Sequence, residues 1–141
     1  GEDNTYNLGD QINNILWADK AERHQMYTFY REAIRLRKDH PMFRPTSQQQ
    51  TLASIKFLDD DLKLTLPPGT MGWLVTDVEG KDSWAAAVIL LNGSSKSATI
   101  PLPPGEWKIR SMDGRFEQDG EMRRGSIELM PHWGSVVFQT R

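Results

Sequence analysis

The chain has 141 residues, 38% of them hydrophobic, a formal net charge of −2 and no cysteine. That is enough for one core of modest size with a helical piece attached, and too little for a whole strand–helix barrel of about 250 residues. Scattered Lys and Arg give no footprint for nucleic acid, the lack of thiols removes disulfides and thiolate metal sites, and no apolar run approaches the ~20 residues of a membrane helix.

The opening stretch from Asn4 to Trp17, NTYNLGDQINNILW, mixes amides, a carboxylate and aromatics with neither a helical nor a strand period. Asn7, Asn13 and Asn14 supply paired donors and acceptors, Asp10 an acceptor-only carboxylate, and Tyr6 and Trp17 flat apolar faces. Such a set suits a polyhydroxylated ring with one apolar side. The same residue types suit an Asn-rich turn leading into the next helix, and by themselves they leave both readings open.

From Asp19 to Asp39 the apolar residues Met26, Tyr27, Phe29, Tyr30, Ala33, Ile34 and Leu36 keep three-and-four spacing, which predicts one long amphipathic helix. Asp19 and Glu22 read as a capping box, Arg35, Arg37 and Lys38 complement the dipole at the far end, and Pro41 bars continuation. The aromatics Tyr27, Phe29 and Tyr30 read as core rather than as a sugar platform. Residues 45–50 are polar and aperiodic and read as a linker, dividing the chain into 1–44 and 51–141.

Beyond the linker, short alternating runs recur between turn signals. Leu52 to Phe57, Leu62 to Leu66, Met71 to Val78, Trp84 to Leu91, Ala98 to Leu102, Trp107 to Met112, Ser126 to Leu129 and Val136 to Gln139 are the predicted strands. Pro67-Pro68-Gly69, Glu79-Gly80, Asn92-Gly93, Pro103-Pro104-Gly105, Asp113-Gly114 and Asp119-Gly120 separate them. With no helical run between them, they predict an antiparallel β-sandwich with Greek-key links. Ala85 to Leu91 is apolar without alternation, as for a central strand, whereas Trp107 to Arg110 alternates and belongs nearer an edge.

Three features that invite chemistry have plainer readings. Asp59-Asp60-Asp61 reads as a solvated turn, since adjacent like charges repel and the calcium-loop spacing is not met. His24, His40 and His132 are dispersed without metal-ligand spacing, so neither metal nor cofactor is expected. Trp73, Trp84 and Trp107 read as core, and Trp133 beside His132 as a buried aromatic closing the sandwich.

The order of residues adds a resemblance. Asn4-Thr5-Tyr6-Asn7, Gly9-Asp10, Ile12-Asn13, Ile15 and Trp17 closely resemble the segment after the last barrel strand of type I pullulanases, in the α-amylase superfamily (glycoside hydrolase family 13). Arg35-Leu36-Arg37-Lys38, His40-Pro41 and Phe43-Arg44 resemble the end of the final barrel helix and its exit. Phe57 to Asp61, Leu66-Pro67-Pro68-Gly69, Asp82-Ser83-Trp84, Val88 to Asn92 and Pro104-Gly105-Glu106-Trp107 resemble landmarks of the C-terminal β domain. Leu16 departs from the family's usual Asp, and Thr5 from its usual Ser.

The resemblance implies an antiparallel sandwich of the α-amylase C-terminal type, preceded by a long helix at about 19–39 and an irregular loop at 1–18, with 1–44 the tail of a catalytic barrel. It implies the C-terminal part of a debranching hydrolase that cuts α-1,6-glucosidic links in pullulan, amylopectin and limit dextrin. The nucleophile, acid and stabilising aspartate of such enzymes lie on barrel strands upstream of residue 1, so no catalytic residue is assigned and the chain alone is expected to be inactive. Asn4, Tyr6, Asn7 and Asp10 are the implied substrate-binding residues. The residues leave localisation open, and the resemblance favours a bacterial, extracellular or cell-surface setting over a cytoplasmic one. Without the barrel, the helix at 19–39 is expected to seek the β domain or a second copy. An independent α-glucan-binding sandwich with exposed tryptophans is the alternative function.

Overall fold

The structure, a computed structural model, describes Gly9 and residues 16–141. The helical region is broken where one helix was expected: α1 (Asp19–Glu22) and α2 (His24–Asp39) are separated by Arg23, whose φ of −103° and ψ of 36° leave helical geometry. The expected capping box does not form, because Ala18 is the N-cap and Asp19 already lies inside the first turn. From there its carboxylate faces Arg23 at 3.9 Å instead of the backbone amides. The far end behaves as predicted. His40, before Pro41, is extended, and a 3-10 turn follows at Pro41–Phe43. Arg37 donates to Phe43 O (2.7 Å) and Arg44 to Lys38 O (3.0 Å), closing the helix exit on itself.

The stretch read as a linker starts a further helix, α3 (Gln48–Ser54). Ser47 Oγ accepts from Gln50 N at 3.2 Å, while Gln50 Oε1 accepts from Thr46 N (2.9 Å) and Thr46 Oγ1 (3.1 Å). These polar residues are a reciprocal cap. Consequently the run expected as a strand from Leu52 is helical to Ser54, and β1 (Ile55–Phe57) begins only after it.

β2 (Thr70–Thr76), β3 (Trp84–Asn92), β4 (Ala98–Pro101), β5 (Trp107–Met112), β6 (Arg115–Phe116), β7 (Met122–Arg123), β8 (Ser126–Leu129) and β9 (Gly134–Thr140) complete the strands. A seven-stranded sheet in the order β1-β2-β3-β9-β5-β6, with β7 also on β5, faces a two-stranded sheet of β4 and β8. Every pairing is antiparallel, and β9 returns from late in the chain to lie between β3 and β5. β3 occupies the middle and β5 lies toward the edge, as the pattern predicts. The predicted strand at Leu62 to Leu66 makes no ladder. Its leucines alternate because Leu62, Leu64 and Leu66 lean on the core from a loop.

The large sheet is apolar on both faces. Inward, Leu58, Val88, Leu90, Ile100, Leu129 and Val137 are fully buried between the sheets, each worth about 1.5 to 3 kcal/mol. Outward, Val75, Ala87 and Phe138 meet Leu36 and Met42 from the helical segment. A bulge in β3 decides where Trp84 goes. Trp84 pairs with Thr140 and Ala86 with Gln139, so β3 spends one extra residue there. Ala86 points inward, and Trp84 is turned out to the helix side, which strict alternation would forbid.

Candidate functional site

Asn4, Tyr6, Asn7 and Asp10 lie outside the described residues. Leu16 and Trp17, at the end of the same segment, are exposed. The acidic triplet is a turn that uses its own carboxylates: Asp61 Oδ2 accepts from Phe57 N at 2.6 Å and Asp59 Oδ1 from Asp60 N at 2.9 Å. Among the described residues no group of three His, Cys, Asp or Glu side chains is placed to hold a metal, and no helix is long and apolar enough to cross a membrane.

The tryptophans divide. Trp84 and Trp107 are buried, and Trp107 Nε1 donates to Pro103 O at 2.9 Å. Trp133 differs from the expected buried plug: it is 45% exposed, because β9 starts only at Gly134 and the indole hangs on the turn before it. The aromatic stripe of α2 also divides. Phe29 packs on Phe116 of β6 with ring centres 5.5 Å apart, whereas Tyr27 and Tyr30 remain exposed.

The most organised polar cluster joins the helix exit to the turn between β2 and β3. His40 Nδ1 donates to Asp82 Oδ1 at 2.7 Å, and the Asp82 side chain is wholly buried. Asp82 also accepts from Met42 N (3.2 Å) and Trp84 N (3.0 Å), so three donors from two segments converge on one carboxylate. The His40 ring stacks on Trp84 at 3.7 Å, and Trp84 stacks on Phe138 at 4.0 Å with an 11° tilt. Two motifs that carried the resemblance separately, His40-Pro41 and Asp82-Ser83-Trp84, are thus one contact. Nothing local in the sequence joins them.

Asp77, at the other side of the same turn, accepts from Asp82 N (2.8 Å) and from the Arg141 guanidinium (2.5 Å). Burial pushes the Asp77 carboxyl up, but the Asp82 amide, the Arg141 side chain and the Lys81 amide together outweigh it and hold the group below its ordinary value. Beside this turn a groove of about 460 Å³ runs between Met42, Arg44, Ser54, Thr76, Val78 and Lys81. Its nearest acids are engaged, Asp77 with Arg141 and Glu79 with Lys81 and Gln50. The junction is built to hold segments together, and it presents no opposed pair of carboxyls of the kind glycoside hydrolysis uses.

Comparison with known proteins fits this architecture. Residues 62–115 match the family model described as pullulanase, all-beta domain. An isoamylase from Flavobacterium sp is 27% identical over 123 residues, covering 77% of this chain and 16% of the relative. The solved pullulanase from Bacillus acidopullulyticus superposes with a TM-score of 0.85 at 26% identity, over 99% of this chain and 16% of that one. The pullulanase of Anoxybacillus sp. LM18-11, solved in complex with maltotriose, gives 0.79 at 26% identity over 96% of this chain and 18% of that one. The chain thus spans about a sixth of the length of the proteins it matches. Its β-sandwich, with the helical segment packed on the outer sheet face, is a pullulanase-type C-terminal all-β domain.

Proposed function

We propose that this chain is the C-terminal part of a starch- and pullulan-debranching glycoside hydrolase of family 13, one that hydrolyses α-1,6-glucosidic links. In this reading residues 1–44 finish a catalytic barrel that carries the acids, and residues 51–141 brace it. The observation that carries the proposal is the superposition on the Bacillus acidopullulyticus enzyme, which takes in the helix and the sandwich together. The maltotriose complex of the Anoxybacillus enzyme supports α-glucan as the substrate class. Asn4, Tyr6, Asn7 and Asp10 then border the glucose subsites, with Asp10 accepting two hydroxyls at once.

Met26, Tyr30 and Ile34 form an exposed stripe at i, i+4 spacing on α2, and this is the face offered to the barrel. Two measurements test the reading. The coding sequence upstream of Gly1 should specify barrel strands ending in three carboxylates, and its absence overturns the proposal. Incubated alone with pullulan, the chain should release no reducing ends, and turnover above a buffer control overturns the assigned division of labour.

A further inference from the structure

Trp133 stands where two left-handed turns meet. Among the described residues only Lys63, Asp113 and His132 have positive φ without being glycine, and the last two, at 46° and 61°, flank this indole. Such backbones are costly for residues with a side chain and persist where the surroundings enforce them. Here the surroundings do so. Asp113 Oδ1 accepts from Met130 N at 3.3 Å, Trp133 O accepts from Asn92 N at 2.8 Å, and buried Asn92 donates to Leu129 O and Met130 O.

The ring itself is held against Gly114, at φ +79°. A Cβ there would fall 2.6 Å from Trp133 Cη2, so only glycine admits the indole. Held on this edge, the indole still leaves 45% of the residue in water. Trp133 Nε1 donates to no described residue, in contrast to Trp107 Nε1. His132 precedes the indole in the chain and Asp113 precedes the Gly114 it rests on, so the two flanking turns carry an imidazole and a carboxylate. A rigid, half-exposed aromatic plane with an unused donor and a polar border is what the apolar face and hydroxyl edge of a pyranose require.

We infer that Trp133 is a stacking platform for an α-glucan chain, separate from the opening segment 1–18; the choice of α-glucan rests on the function proposed above. The glucose ring stacks on the indole, and its hydroxyls bond Nε1–H, Asp113 and His132. The pre-set turns mean that little ordering accompanies binding.

Calorimetric titration of the chain with maltohexaose, with cellohexaose as the β-linked control, tests this. Saturable heat is expected with maltohexaose alone. Trp133→Ala should weaken binding roughly tenfold or more, as loss of a central aromatic anchor does. Trp133→Tyr should recover part of it, and Phe57→Ala, which removes an exposed aromatic from the far edge strand β1, should bind as the parent. Far-ultraviolet circular dichroism checks that each variant folds, and Trp133→Tyr keeps the test decisive should the alanine variant unfold. No saturable heat, equal heat with cellohexaose, or unchanged binding in both Trp133 variants overturns the inference. So does a dimeric mass that Trp133→Ala reduces to monomer, since the indole would then face a second copy. None of these outcomes bears on the upstream coding sequence, which decides the proposed function by itself.

Discussion

His40 and Asp82, 42 residues apart in sequence, share a 2.7 Å bond in which the acceptor is completely withdrawn from water. That bond and the aromatic stack above it carry the helix exit onto the sheet. Its partners make it more sensitive to truncation on the Asp82 side than on the His40 side. Asp82→Ala would leave His40 Nδ1, Met42 N and Trp84 N without an acceptor, and a loss of about 3 to 5 kcal/mol is expected. His40→Ala removes one donor and part of the stack, so its cost should be smaller, about 2 kcal/mol. Urea unfolding of the two variants ranks them.

The Asp77 carboxyl gives the fold an acid-sensitive element. Its folded pKa lies below the ordinary carboxylate value of about 4, so near that pH the native state binds fewer protons than the unfolded chain. The stabilisation is present above the unfolded value and is lost as pH falls through the lower folded one. Asp77→Asn should therefore lower the urea midpoint at pH 7 and flatten its decline below about pH 4. A variant whose acid decline matches the parent's would contradict this.

Ser47→Ala should cost about 1 kcal/mol, because the α3 amide at Gln50 loses its cap. Ser47→Asp, which keeps an acceptor oxygen in the same place, should restore most of it. Thermal midpoints of the three chains are the measurement.

Exposed Met26, Tyr30 and Ile34 predict association of the separated chain through α2, each large side chain being worth roughly 1.5 to 3 kcal/mol when covered. Sedimentation should show a mass that rises with concentration, and Ile34→Glu should abolish the rise without unfolding the domain. A monomer at every concentration would remove the stripe as an interface between copies.

Sidedness was more legible in the sequence than pairing. The unbroken apolar run of β3 and the alternation of β5 predicted their places because burial on two faces or one writes itself directly into residue type. Leu62 to Leu66 misled for the same reason: a loop lying along a core alternates as a strand does. Ser47 and Gln50 have the spacing of a capping box, but their polarity equally suits a linker, and only the helix that follows separates the two. Arg23 interrupts the helix without a Gly or Pro to announce it. The bulge at Trp84 and the His40–Asp82 bond depend on distant strands and have no local signature. An aromatic before a strand is ordinarily core, and only the turn geometry at Asp113 and His132 sets Trp133 outside.

The tip of a hairpin is ordinarily the place to graft a tag, widen a loop or open a chain for permutation. Residues 77–83 invert that rule, since the incoming strap at His40 and Met42 and the outgoing Arg141 are both moored to them. A designer wishing to splice cargo into this domain should leave that tip alone and choose the Asp59-Asp60-Asp61 turn, whose anchors reach no farther than its own neighbours.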